Sequence, residues 1–179
     1  AECWFSRAIA NLQGGWNYIF RWPGNVTSSK ELGVVGNNNN VNMWDENTGV
    51  TFGTHSSTSA WSHIAFVRES GVISCYLDGV KLAGTHNQGA TFSGSWIQIG
   101  DDMKGGLNHI RVSNVARYSG ASISDWQNTT HNFTLDQQTL LLITDQNNID
   151  GTTFVDQSGS GDISIGYDSS GNNNHWQTN

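Results

Sequence analysis

The sequence predicts an all-β chain folded as two antiparallel sheets packed face to face, and three observations carry that prediction. Trp61 to Arg68 is apolar on both faces, with Trp61, Ala65 and Val67 on one side and Ile64 and Phe66 on the other, the pattern of a strand covered from both directions. Val72 to Leu77 is bounded by Ser70-Gly71 and Asp78-Gly79. Asp-Gly between apolar runs is a strong hairpin signal, so residues 61–83 read as three consecutive antiparallel strands. Turn signals also recur about every ten residues along the chain, as in sandwiches.

Taken in order, Glu2 to Ile9 alternates Cys3 and Phe5 against Glu2 and Trp4, which predicts a strand with one face in the core. Trp16 to Trp22 follows a Gln-Gly-Gly turn and stops at Pro23-Gly24. Asn37 to Asn40 reads as a loop, after which Val41 to Trp44 and Val50 to Phe52 form a hairpin about Glu46-Asn47-Thr48-Gly49. Ser95 to Ile99 and Leu107 to Val112 complete the series. Ala121 to Gln127 is the one segment suited to a short helical turn. Beyond Thr134 the texture changes: Leu140 to Ile143 is a short apolar strand, followed by Asp-, Asn-, Gly- and Ser-rich sequence with a weak echo, Asp156-Gln-Ser-Gly159 and Asp168-Ser-Ser-Gly171. Leu140 to Ile143 is expected to join a sheet, because four consecutive apolar residues are costly to leave in water. The expected division is a sandwich over 1–134 and an extension over 135–179, serving as linker to, or start of, a further module.

A chain of 179 residues buries roughly 70% of its unfolded surface in a single core, so neither metal nor disulfide is needed for folding. Charged residues make up 13%, about half the usual share, and Asn, Ser, Thr and Gly are abundant. Such a polar but weakly charged surface is common in secreted and particle-associated proteins. The net charge is −7 and the eight Lys plus Arg are scattered singly, which leaves no basic stripe to neutralise phosphates and argues against nucleic acid as a partner. No run approaches the roughly 20 apolar residues of a membrane-spanning helix, so membrane insertion is not expected. The chain opens at Ala1-Glu-Cys-Trp-Phe without initiator Met or signal peptide, as expected for a start inside a longer polypeptide.

Cys3 and Cys75 lie in strand-like runs beside inward-looking Phe5 and Leu77. A bridge between them would close a loop of about 70 residues and contribute roughly 4 kcal/mol. Two buried free thiols acting as small hydrophobes fit the sequence as well.

An ordered set of residues carries a resemblance. Trp61-x-His63-Ile-Ala-Phe-Val-Arg, then Ser74-Cys-Tyr-Leu-Asp78-Gly79, then Ile97-Gln-Ile-Gly100, then Gly106-Leu-x-x-Ile110-Arg111-Val-Ser-Asn-Val-Ala-Arg117-Tyr118 resemble laminin-G-like, concanavalin-A-like jelly rolls, and Glu2-Cys-Trp-Phe resembles that family's early strand. The likeness covers about residues 1–134. It implies a two-sheet antiparallel jelly-roll sandwich, with a strand or strands ahead of Glu2 that this sequence lacks and that the tail or another chain would replace. The segments Asp136 to Gly159 and Asp168-Ser-Ser-Gly-Asn-Asn-Asn-His-Trp176 are similar to linkers in large virion proteins of marine tailed phages.

Catalytic patterns are missing. A retaining glycosidase on such a sandwich wants two carboxylates about 5 Å apart on one strand face, whereas Glu2, Glu31, Glu46 and Glu69 each lack an acid two residues away. No Ser or Cys sits in a nucleophile elbow, and His63 belongs to the strand signature. No enzyme activity is expected. Laminin-G-like domains often hold one Ca²⁺ at a rim, which makes Asp101, Asp102 and Asn108 the candidate oxygen ligands. An exposed turn solvated by its acids is the competing reading, and Asn108-His109 stands where the family usually has Asp-Glu.

Glycan binding needs exposed aromatic platforms flanked by amides and hydroxyls. Of the eight tryptophans, Trp4, Trp16, Trp61 and Trp96 read as core or sheet-face packing. Trp22, and Trp44 with Asn42 and Asp45, are the candidates for sugar contact. The expected function is a non-enzymatic structural or adhesion module of an extracellular or virion assembly, such as a phage tail fibre or decoration protein, with neighbouring subunits as partners. The alternative is a carbohydrate-binding module recognising a surface polysaccharide, with Ca²⁺ as candidate cofactor.

Overall fold

Period-two alternation sorts the side chains onto the two faces of each strand, and the described residues form eleven strands. The computed structural model describes residues 1–7, 16–22, 30–35, 39–45, 48–55, 61–87, 97–100, 105–123, 133–144 and 156–158, the side chains at 7, 16, 22, 30–35 and 45 excepted. The strands are β1 (Glu2–Arg7), β2 (Trp16–Trp22), β3 (Lys30–Val35), β4 (Asn40–Asp45), β5 (Thr48–Thr54), β6 (Ser62–Glu69), β7 (Val72–Leu77), β8 (Val80–Asn87), β9 (Gln98–Ile99), β10 (Gly105–Ser113) and β11 (Thr139–Ile143). They form a six-stranded sheet in the order β11-β10-β1-β6-β7-β8 and a five-stranded sheet in the order β5-β4-β3-β2-β9. Every pairing is antiparallel.

The predicted hairpins are present with the backbone their sequences call for. Ser70-Gly71 and Asp78-Gly79 both have positive φ, at 49° and 81° and at 47° and 79°, as two-residue turns matched to strand twist require. β3 was not anticipated, because Lys30-Glu-Leu-Gly-Val-Val35 shows no clean alternation. Ser95 to Ile99 contributes only Gln98–Ile99 among the described residues. No helical turn forms over Ala121 to Ile123: Ser122 bridges Val80, and the Ile123 amide donates to Gly79 O at 2.7 Å. The remainder of that segment lies outside the described residues.

The main core lies between the sheets. Cys3, Phe5, Ile64, Phe66, Ile73, Cys75, Ile110, Leu141 and Ile143 from one meet Ile19, Phe20, Val41, Met43 and Phe52 from the other. Phe66 anchors it, edge-on to Phe20 at 6.5 Å and tilted against Phe52 at 6.0 Å. At one edge the backbones of β5 and β8 approach so closely that a Cβ on Gly84 would sit 2.3 Å from Thr51 O. Cys3 and Cys75 are free and buried. β6 stands between β1 and β7, so two strand spacings, about 9–10 Å, separate the cysteines, beyond the reach of a disulfide. Burial pushes both thiols up, away from reactivity.

The outer face of the six-stranded sheet is covered in part. After β10 the chain folds back as a strap, residues 114–123. Tyr118 and Ile123 pack on Ala65, Val67 and Tyr76, while Phe133 and Leu142 pack on Trp4. The two-faced apolar pattern of β6 is thereby explained: one face meets the other sheet, the opposite face meets the strap. Residues 156–158 guard the β11 edge, where Asp156 Oδ1 accepts the Leu142 amide at 3.0 Å and the Gln157 amide donates to Leu142 O at 2.8 Å. Leu140 to Ile143 thus joins the sheet as expected.

Under the strap lies a buried charge cluster. Glu2, 3% exposed, accepts Arg111 Nε at 2.8 Å on Oε1, while its Oε2 takes the Tyr118 hydroxyl and lies 3.2 Å from His63 Nε2. Arg111 also stacks 4.5 Å above the Phe133 ring centroid and donates to Thr134 O at 3.4 Å. Burial alone would push the Glu2 carboxyl up. The hydrogen bond with His63, the Arg111 charge and the Tyr118 hydroxyl outweigh it and hold the group at about 2.

Glu2→Gln leaves Arg111 as a buried charge without its counter-charge and is expected to lower unfolding free energy by about 3–5 kcal/mol in urea titrations. Because the folded value lies below the ordinary 4.5, Glu2 contributes its stabilisation above pH 4.5 and loses it as pH falls from there towards 2. The loss across that window is on the order of 3 kcal/mol. An equal loss in the Glu2→Gln variant would assign the effect to other groups.

Candidate functional site

Strand register assembles a polar and aromatic surface on the outer face of the five-stranded sheet. Trp44 lies opposite Gly49 on β5 and Glu31 on β3; Glu31 lies opposite Arg21 on β2, and Arg21 opposite Gln98 on β9. The adjacent row on the same face runs Thr51, Asn42, Gly33, Tyr18. Val41, Met43 and Phe20 take the alternate positions and point into the core, which places the described side chains of these two rows on the outer face.

Two stacked layers border the surface. The Trp44 indole lies flat on Gly49, where a Cβ would come within 2.7 and 2.8 Å of Cζ3 and Cε3. Across the sheet the Arg21 guanidinium sits 5.5 Å above the Tyr18 ring centroid. Between β4 and β2, about 9–10 Å apart, Gly33 contributes no side chain. Asn42 belongs to the same floor, and its Oδ1 is buried without a hydrogen-bond partner among the described residues.

Of the residues singled out for sugar contact, Asn42 and Trp44 share this face. Trp22 and Asp45 are in register with each other through Lys30, in a row that alternates with the Trp44 row, and their side chains lie outside the described ones. Tyr18, Arg21, Thr51 and Gln98 were not anticipated. Tyr18 and Arg21 are three residues apart, so simple alternation assigns them to opposite faces. A bulge between Tyr18 and Phe20 shifts the phase and returns both to one face. No signal in the sequence marks that bulge.

The candidate calcium ligands are not assembled among the described residues. Asp101 and Asp102 lie outside them. Asn108 turns its Oδ1 onto the His109 amide at 2.8 Å, supporting the positive φ of 44° at His109 where β10 bulges against β1. No group of three His, Cys, Asp or Glu that could hold a metal occurs among the described residues.

Of the five carboxylates whose side chains are described, four are likewise committed. Glu2 sits in its charge cluster, Asp78 Oδ1 accepts the His63 amide at 2.8 Å, Asp136 pairs with Arg117 at 2.6 Å, and Asp156 caps the β11 edge. Glu69 is exposed at the end of β6. A cleft of about 240 Å³, lined by Ala1, Val67, Arg68, Val112 and the strap from Asn114 to Tyr118, offers no pair of free carboxylates among the described residues.

Two apposed antiparallel sheets with polar and aromatic side chains on their outer faces define a β-sandwich. Residues 2–123 match the family of the concanavalin A-like lectin/glucanases superfamily that bears the laminin G name. The chain belongs to that family. Compared with curated proteins and with solved structures, it has no match.

The Trp44 platform depends on Gly49. Gly49→Ala is expected to lift the indole from the sheet, moving the fluorine NMR signal of fluorotryptophan-labelled Trp44, identified as the one lost in Trp44→Phe. An unmoved signal would show that the ring does not rest on that glycine.

Proposed function

We propose that the chain is a non-catalytic adhesion module of an extracellular assembly and that it holds a surface polysaccharide on the outer face of its five-stranded sheet. The observation that carries the reading is Trp44, laid flat on Gly49 beside Asn42 and Thr51. A sugar ring presents apolar C–H groups on one side and hydroxyls around its rim. An indole face takes the former; amides and hydroxyls beside it take the latter.

Gly33 and the Arg21–Tyr18 layer extend the surface across the strands, which suits a polymer more than a single sugar. The net charge of −7 disfavours strongly anionic chains, so the ligand class is a neutral polysaccharide. Within this reading, the weakly charged surface fits a particle-bound setting. A virion fibre in contact with neighbouring subunits is the setting we favour, on the likeness of the 136–176 segment to virion linkers.

A glycan array that includes neutral polysaccharides tests the reading. The natural chain is expected to bind at least one, and Trp44→Ala to weaken it by roughly tenfold or more. The reading fails if no glycan is retained, or if this face buries more than about 1,000 Å² against another subunit.

A further inference from the structure

We infer that the opposite, six-stranded sheet carries a second sugar-stacking site, built on Trp61 with Ser6 and Asn108. The inference rests on the carbohydrate-binding reading above but uses none of the same residues. Its place in a strand-like run predicts packing for Trp61. It is instead 45% exposed, on the same outward face as His63 and Ala65.

The indole is held in one orientation. Phe5 pairs with Ser62 and Ser6 with Gly106, so Trp61, Ser6 and Gly106 occupy one cross-strand row. A Cβ on Gly106 would lie 2.8 Å from Trp61 Cη2 and 3.3 Å from Cζ2. The ring therefore reaches across β1 and rests on β10, at the one position in that row without a side chain. This is the arrangement of Trp44 over Gly49, repeated on the other sheet.

The polar neighbours are donors with capacity to spare. Ser6 Oγ accepts the Gly106 amide at 3.3 Å, which leaves its hydroxyl proton to give. Asn108, two residues along β10 on the same face and half-buried, uses Oδ1 on the His109 amide and keeps its NH₂ group for another acceptor. An aromatic face flanked by a hydroxyl and an amide suits a sugar ring, whose hydroxyl oxygens accept such bonds.

A protein partner fits less well. The other large apolar side chains exposed among the described residues are Val80, Val115, Leu135 and Leu140, none of them in the rows beside Trp61. An interface core needs contiguous apolar area with charge kept out, whereas a lone indole among polar groups is the composition of a sugar platform. No cation stands in these rows, so the ligand is again a neutral sugar.

Two platforms on opposite outer faces cannot grip one sugar ring together. They can grip two chains, or two stretches of one looped chain, so the module gains avidity and cross-links polymer.

The test uses the full chain with fluorotryptophan labelling and neutral probes: cello-, xylo-, malto- and mannohexaose and the parent polysaccharides. With a probe that binds, the Trp44 and Trp61 signals are expected to move in separate saturations. Trp61→Ala should abolish the Trp61 event and polymer cross-linking while Trp44 still binds, and Trp61→Phe, which keeps a ring over Gly106, should restore part of it. Trp44→Ala should leave the Trp61 event in place. A Trp61 signal that stays still while Trp44 saturates overturns the second site alone. If neither signal moves with any probe, the parent reading falls with it. A Trp61 signal that shifts on concentration of the chain without sugar overturns the site in favour of self-association.

Discussion

The buried carboxylate of Glu2 is the constraint around which the larger sheet is organised. One side chain ties β1 to β6 through His63, to β10 through Arg111 and to the strap through Tyr118. A buried carboxylate is tolerable only when its lone pairs are met, and meeting them requires all four segments in place at once. The strap therefore crosses the outer face where Glu2 lies, and Tyr76 fixes its far side by donating to Gly120 O at 3.0 Å. Coverage stops short of the row that holds Trp61. The placement of one acid thus decides which part of that face is core and which part is surface.

Glycine shapes the rest of the surface. Gly49 and Gly106 each lie under an indole, and in both cases a single added carbon would collide with the ring. An exposed tryptophan without such a bed would swing among rotamers and lose entropy on meeting a ligand. Resting on backbone, it is pre-set. Gly84 works differently: there the missing side chain lets β8 approach β5 and close the sandwich edge.

Much of the fold was legible because the residues that set it act locally. Ser70-Gly71 and Asp78-Gly79 determine their own turns, and the apolar pattern of β6 announced burial on both faces before the strap was known. What was not legible depends on register. Tyr18 and Arg21 share a face only because of a bulge, and Trp61 is exposed because the strap stops short of its row, while Gly106 sets where its ring rests. β3, with Gly33 inside and charged residues at its start, has no alternation to read, yet it sets the central gap of the candidate face. Asn42 and Trp44, two residues apart on β4, share a face by simple alternation, as local in origin as the turns.

The same accounting of lone pairs bears on the kind of chemistry the sandwich supports. Acid–base catalysis needs a carboxyl whose proton is in play near the working pH. Glu2 is held far below that range by its partners. Asp136 is likewise pulled below the carboxylate range by the Arg117 and Thr139 hydrogen bonds, which outweigh the slight effect of burial. Asp78 and Asp156 accept backbone amides at strand ends. Each of these acids is placed to fix backbone or strap. Beside the indole faces, the Asn42 and Asn108 amides and the Ser6 hydroxyl keep hydrogen-bonding capacity of their own. In the proposed reading, the amide and hydroxyl groups beside the indole planes contribute hydrogen bonds to a sugar resting on the rings, and binding of that ground state by itself accelerates no bond cleavage.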